Sequence, residues 1–184
     1  MPSGHRDQLE RLFADQRAQR EQWMAQLPAE LRALLPLDAT PIAQGMTLLA
    51  DAVGIGARLQ ATQREQSHAN SAVLHGRVFG RGAPLSRATA LAAFADGARV
   101  REPLLLQLAA AVDGGELRDE IAALLATAPI PAPEELAGGP AEPDAPTRLD
   151  DPAAPVTDPT AALAAVFAAQ EQALLRCAAR LDAI

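Results

Sequence analysis

Apolar residues recur at three- and four-residue steps along most of this chain, the period that gives a helix one inward face. From about His5 to Gln26 the stripe is Leu9, Leu12, Phe13, Trp23 and Met24, interrupted by Gln16 and Arg20. Pro28 ends that helix and, because proline suits a first helical turn, opens a short one from Ala29 to Leu35 that stops at Pro36. Thr40-Pro41 reads as an N-cap followed by a first-turn proline and predicts a helix from Pro41 to about Leu74. Its first half places Ile42, Met46, Leu49 and Val53 on one face, whereas Gln60 to Ser71 is polar on every face. Gly45, Gly54 and Gly56 each weaken a helix by about 1 kcal/mol relative to Ala, but allow a neighbouring helix close.

Gly76 to Leu85 predicts a loop. Ser86 then caps a helix through about Arg99 that turns Leu91, Phe94 and Ala98 inward. Glu102-Pro103 starts another, whose Leu104, Leu105, Leu106, Leu108 and Val112 leave little polar face, and Gly114-Gly115 ends it. A last segment of this region, Glu116 to Thr127, carries Leu117, Ile121, Leu124 and Leu125. The pattern then breaks. Residues 128–158 hold eight of the fifteen prolines and read as a linker. Asp158-Pro159 repeats the cap-plus-proline start. Beyond it Leu163, Phe167, Gln170, Leu174, Cys177, Leu181 and Ile184 fall on alternating four- and three-residue steps, a coiled-coil-like seam with one polar position. The expected fold is all-α: a bundle of five or six helices over 1–127, a Pro/Ala/acidic linker over 128–158, and an amphipathic helix over 159–184. The sequence leaves open whether that last helix docks on its own body or on another chain.

Composition supports the class. Apolar residues make up 49 %, there is no Tyr, one Trp and four Phe, a mixture that suits close helix packing better than strands. The net charge of −7 belongs to the linker, where seven acids face the single Arg148, while 1–127 sets fourteen acids against thirteen Arg. So neutral a body lacks the dense positive surface that nucleic acids require. Every base is Arg, which a GC-rich genome explains, so Arg chemistry has to be argued site by site. Cys177 is alone and forms no internal disulfide. No apolar run reaches the ~18–20 residues that span a bilayer, and the first residues lack the charged-then-apolar pattern of a signal peptide. A cytoplasmic location is expected.

Three constellations could carry function. Leu9-x-x-Leu12-Phe13-Ala14-x-Gln16 is echoed by Leu163-x-x-Val166-Phe167-Ala168-x-Gln170, with Leu, Phe and Gln along one face in both. Two similar docking helices would produce this echo, as would chance between Ala-rich amphipathic helices. The expected partner contacts are Leu9, Phe13 and Trp23 on the first helix and Leu163, Phe167, Gln170, Leu174 and Leu181 on the last. Glu65, His68 and His75 lie along one side of the long helix, but this is a single Glu-x-x-His pair where carboxylate-bridged di-iron bundles need two and further Glu. A polar helix face explains it equally. Arg77 and Arg81, with Ser86 and Arg87 at the next helix start, make a weak anion site of glycine-freed amides and Arg forks. The same Arg/Gly loop could instead attract the chain's own acidic linker. No nucleophile–base pair is readable and no cofactor is expected. The reading is a non-catalytic adaptor, assembly factor or chaperone-like subunit working through helix-in-groove contacts. The alternatives are a ligand- or metal-binding helical domain or enzyme built on Glu65, His68, His75 and the Arg77/Arg81 loop, and a self-associating structural protein.

Overall fold

Helix ends are set by local chemistry, and the structure, a computed structural model describing residues 3–65, 86–137 and 158–184, places them as follows. It is all-α, with no strand among the described residues. The helices are α1 (His5–Ala25), α2 (Ala29–Leu34), α3 (Thr40–Ala52), α4 (residues 56–65), α5 (Arg87–Ala126), α6 (Pro133–Ala137) and α7 (Pro159–Ala183). Among the described residues no helix is long and apolar enough to cross a membrane.

Two predicted caps form as expected. Ser86 Oγ accepts from the Thr89 N–H at 3.2 Å, and the Asp158 carboxylate accepts from the Thr160 N–H at 3.1 Å. At α3 the cap lies upstream of the predicted one: Thr40 is already helical, and Asp38 Oδ1 takes its N–H at 2.9 Å. A carboxylate two residues back is the stronger acceptor, because the bond is charge-assisted.

The expected single helix from Pro41 to Leu74 is broken at Gly54. Its φ of +76° is left-handed; the Gly54 N–H bonds Asp51 O at 3.2 Å and the Ile55 N–H bonds Ala50 O at 3.0 Å. This paired closure is a Schellman stop, for which glycine is the favoured residue. The two helices expected on either side of Arg101 are, conversely, one. Pro103 lies inside α5, although a helical proline costs about 3 kcal/mol. Buried Leu91, Ala95 and Ala98 before it and Leu104, Leu105 and Leu108 after it hold the helix straight on, and each fully buried Leu contributes about 1.5–3 kcal/mol. The true break in α5 is at Asp113 and Gly114, where Gly114 has φ +65° and the helix resumes at once in a second arm.

One core takes side chains from both 1–127 and α7. The terminal helix packs most extensively along α5 and also touches α1 and α3, burying Leu163, Val166, Phe167, Gln170, Leu174 and Cys177. In this structure it docks on its own body. Three helices, α1, α3 and α7, come together at Gly45. A Cβ there would lie 2.8 Å from Leu9 Cδ1, 3.1 Å from Leu174 Cδ1 and 3.2 Å from Phe13 Cε1. A methyl group where α1, α3 and α7 meet would require the Leu9 side chain to shift. A satellite cluster of Leu91, Ala95, Leu136 and Leu163 anchors α6, and Arg99 Nη2 donates to Pro131 O at 2.6 Å. Residues 128–137, the start of the expected linker, are thus held against α5; residues 138–157 lie outside the described residues.

Polar contacts bind α7 at both ends. Arg87 Nη2 reaches Thr160 Oγ1 at 2.6 Å and Asp158 at 3.5 Å. At the other end the Asp182 carboxylate caps α1 from a different helix, accepting from the His5 N–H at 2.7 Å and the Arg6 N–H at 3.0 Å. His5 Nδ1 lies 2.8 Å from the same carboxylate. Gly4 makes room for it, since a Cβ there would sit 2.6 Å from Asp182 Oδ2. Arg180 bridges Asp113 and Glu120, and Arg176 pairs with Glu120 at 2.9 Å.

Leu174→Ala is expected to destabilise the entire chain by about 2–5 kcal/mol, the usual cost of a cavity at a buried Leu. Urea unfolding followed by Trp23 emission and by circular dichroism should shift together, because one core is being disrupted. Asp182→Ala removes the cap of α1 at a cost of about 1 kcal/mol. The Arg6 backbone N–H, then the bonds from His5, hold the Asp182 carboxyl below its ordinary value. Its contribution is therefore fully present above the ordinary carboxyl range and fades as pH falls through the depressed folded-state value. The stability gap between wild type and Asp182→Ala, measured by thermal melts across pH 2 to 7, should close at the acid end.

Candidate functional site

The side chains expected to meet a partner fall into two groups. Leu9, Phe13, Leu163, Phe167, Gln170 and Leu174 are buried in the core, and Leu181 is partly buried against it. Trp23 is different, being 51 % exposed. The echo between first and last helices holds for its Leu and Phe positions, which all point inward. It fails at the Gln: Gln170 is fully buried, while Gln16 lines a surface cleft.

That buried Gln170 sits in a polar node between α7 and α5. Its Nε2 donates to Ala98 O at 3.1 Å, and its Oε1 accepts from Arg101 Nε at 2.8 Å. The Arg101 guanidinium lies 4.9 Å from the centre of the Phe167 ring, and Phe94 meets that ring edge-on at 6.0 Å. Burial lowers the Arg101 pKa to about 10. Its Nη2 is buried with no hydrogen-bond partner among the described residues. Sequence reading left Arg101 between two expected helices and so assigned it no face. On a continuous helix it stands three residues after Ala98 and four before Leu105, on the buried stripe.

The Trp23 cleft is the open feature. It has a volume of about 410 Å³ and is lined by Gln16, Gln19, Arg20 and Trp23 of α1, Leu35, Leu37, Asp38 and Thr40 of the following connection and α3 start, and Phe94 of α5. A second hollow of about 300 Å³ shares Arg20, Leu37 and Asp38 and continues to Phe167, Ala168 and Glu171 on α7. Together they form a furrow with an aromatic floor and mixed charge. Arg20 fixes its far wall, donating to Leu35 O at 2.6 Å and Leu37 O at 3.1 Å. Arg17 pairs with Glu171 at 2.6 Å, and burial of that carboxyl raises its pKa more than the Arg lowers it. Elsewhere on the surface, α2 buries none of its residues and leaves Leu31 exposed. Arg20 was read only as an interruption of the apolar stripe, and Leu37, Asp38 and Phe94 had no signal as a group, because they meet only in the folded chain.

The other candidates are placed as follows. Ser86 caps α5 and Arg87 is engaged with the start of α7, while Arg77 and Arg81 lie outside the described residues. The expected attraction between the Arg/Gly loop and the acidic linker falls on residues 76–85 and 138–157, outside the described residues. Glu65 is exposed at the end of described α4, and His68 and His75 lie outside the described residues. Among the described residues no three His, Cys, Asp or Glu side chains come together as metal ligands. Cys177 is buried and its thiol is pushed up to about 12 by burial and then by Glu120, so it stays protonated at neutral pH. Compared with protein-family models, curated proteins and solved structures, the chain matches none.

Gln170→Leu alone should destabilise the protein by about 1–3 kcal/mol, since it strands the Arg101 Nε in the interior. Adding Arg101→Met should restore stability to the wild-type level or above, because a buried charge without an ionic partner costs more than an apolar side chain of similar size. Urea denaturation of the three proteins measures both effects; a double variant weaker than Gln170→Leu would contradict the account of the node.

Proposed function

We propose that this chain is a non-catalytic helical adaptor or assembly subunit of the cytoplasm that receives an amphipathic helix of a partner protein in the Trp23 furrow. The observation that carries this reading is Trp23 itself. In a chain with one Trp, that residue stands 51 % exposed and lines a cleft together with Leu35, Leu37 and Phe94. Leaving so large an apolar side chain in water forgoes burial energy, and Trp is prominent among residues that dominate protein interfaces. The exposed large hydrophobics among the described residues are Trp23, Leu31 and Ile184, and of these Trp23 lines the cleft. Helix-in-groove binding supplies the expected occupant, with apolar anchors at helical spacing on the aromatic floor and polar positions toward Gln16, Gln19 and Asp38.

Immobilised full-length protein should capture a stoichiometric partner from native lysate, and Trp23→Ala should lose it. An interface Trp of this kind contributes about 2 kcal/mol or more, roughly a thirtyfold weakening. The variant should melt within a few degrees of wild type, as Trp23 is outside the core. Recovery of the same proteins in the same amounts by both forms would refute the furrow as the binding surface.

A further inference from the structure

A second trough, sharing no lining residue with the Trp23 furrow, lies between the two arms of α5 and the connection that follows them. Its volume is about 470 Å³, and its apolar lining is Leu106, Ala122, Leu125, Ala126, Pro129 and Ile130. The bend at Asp113 and Gly114 creates it by folding the second arm of α5 back beside the first. Two charged side chains stand at its edge, Arg99 and Glu102. Arg99 is already engaged, with Nη1 on Asp96 at 2.8 Å and Nη2 on the Pro131 carbonyl at 2.6 Å. Glu102 has no ion pair or side-chain hydrogen bond among the described residues. Burial alone raises its carboxyl above the ordinary value, with no cation offsetting the effect. A half-buried carboxylate beside an apolar trough is costly unless something positive meets it.

We propose that this trough is a second docking site, for a basic amphipathic helix of a partner protein, with a Lys or Arg of that helix paired to Glu102. The choice of occupant follows from charge complementarity. The unmatched group is a single negative charge, and the surface beside it suits the aliphatic stem of a long basic side chain, which can lie along Leu106 and Leu125 and place its head at the carboxylate. An acidic helix would put like charges together. A purely apolar one would leave Glu102 desolvated and unpaired. This inference goes beyond the Trp23 reading and does not depend on it. Two separate surfaces on one scaffold are what an adaptor joining two proteins requires.

The test uses the full chain and two fluorescein-labelled model helices of equal length, one of Leu and Lys and one of Leu and Glu. Binding is read by anisotropy at physiological salt. The Lys helix should bind and the Glu helix should not. Glu102→Gln should weaken the Lys helix about tenfold, as expected for loss of a charge-assisted contact, while its melting temperature stays level or rises. Glu134→Gln changes the net charge equally at an exposed position on α6 and should leave binding within about twofold. Equal losses in the two variants would mean that only the overall charge attracts the peptide, and would overturn the proposal. So would binding unaffected by Glu102→Gln, or no binding of the Lys helix to wild type. Because Trp23→Ala leaves this trough intact, it should not alter the result, and failure here leaves the furrow reading to its own experiment.

Discussion

The closeness of α7 to α1 and α3 at Gly45 is the constraint on which the rest of the structure depends. Leu9, Phe13 and Leu174 converge on a position with no side chain, so the three helices pack there more closely than a Cβ would allow without a shift of the Leu9 side chain. Neither α1 nor α3 could bury its inner face on the other alone. Among the described residues α1 has only Leu9 and Phe13 fully inside, too little apolar surface to hold a helix of 21 residues against solvent. What holds it is α7, through Leu174 in the core, the Arg17–Glu171 pair on the flank, and the Asp182 cap at its start. Exposed ion pairs of this kind contribute little individually; their role is to align a contact whose energy is apolar.

Into this apolar contact the chain places one polar node. Gln170 satisfies its amide with Ala98 O and Arg101 Nε, yet among the described residues Arg101 keeps a buried Nη2 without a partner. The arrangement is worse than a well-packed hydrophobic core for stability and better for definition. Leu and Ala side chains along α5 and α7 resemble one another enough that α7 could slide by a turn with modest loss. A slide would strand Gln170 and the guanidinium together, and each stranded group costs about 1–3 kcal/mol. The node therefore acts on register, as a single polar position does in a coiled-coil seam.

Much of this was legible in the chain, and the failures share a cause. The seam from Leu163 to Leu174 was read correctly because helical period is local, and so were the Ser86 and Asp158 caps. The partner of that seam was not readable, since a period states which face is buried and not against what. Gly45 and Gly54 look alike in sequence, but one is a close approach inside α3 and the other its left-handed stop. The difference lies in whether a neighbouring helix is present, which is tertiary information. Pro103 misled for the same reason: its local cost is real, and buried Leu side chains on both sides outweigh it. Arg101 went unnoticed because the false boundary at Pro103 removed it from any face. Of the candidate site, Trp23 was identified, whereas Leu37, Asp38 and Phe94 come together only through the fold.

Where α7 lies also governs what remains for recognition. An apolar side chain satisfied inside the core cannot serve a partner without unfolding part of the body, so under the proposed function the seam residues would act by holding surfaces in place. The Trp23 furrow has the properties of a surface held this way. Its far wall is an irregular connection, which would ordinarily be free to move, but Arg20 spans the cleft and grips the carbonyls of Leu35 and Leu37. Its inner wall is Phe94, fixed edge-on to Phe167, which Arg101 covers in turn. A groove already ordered before binding forfeits less conformational entropy when it is filled. The polar node that pins α7 in register is thus also the support behind the furrow's aromatic floor, and loosening it would be felt at Phe94 before it was felt at Trp23.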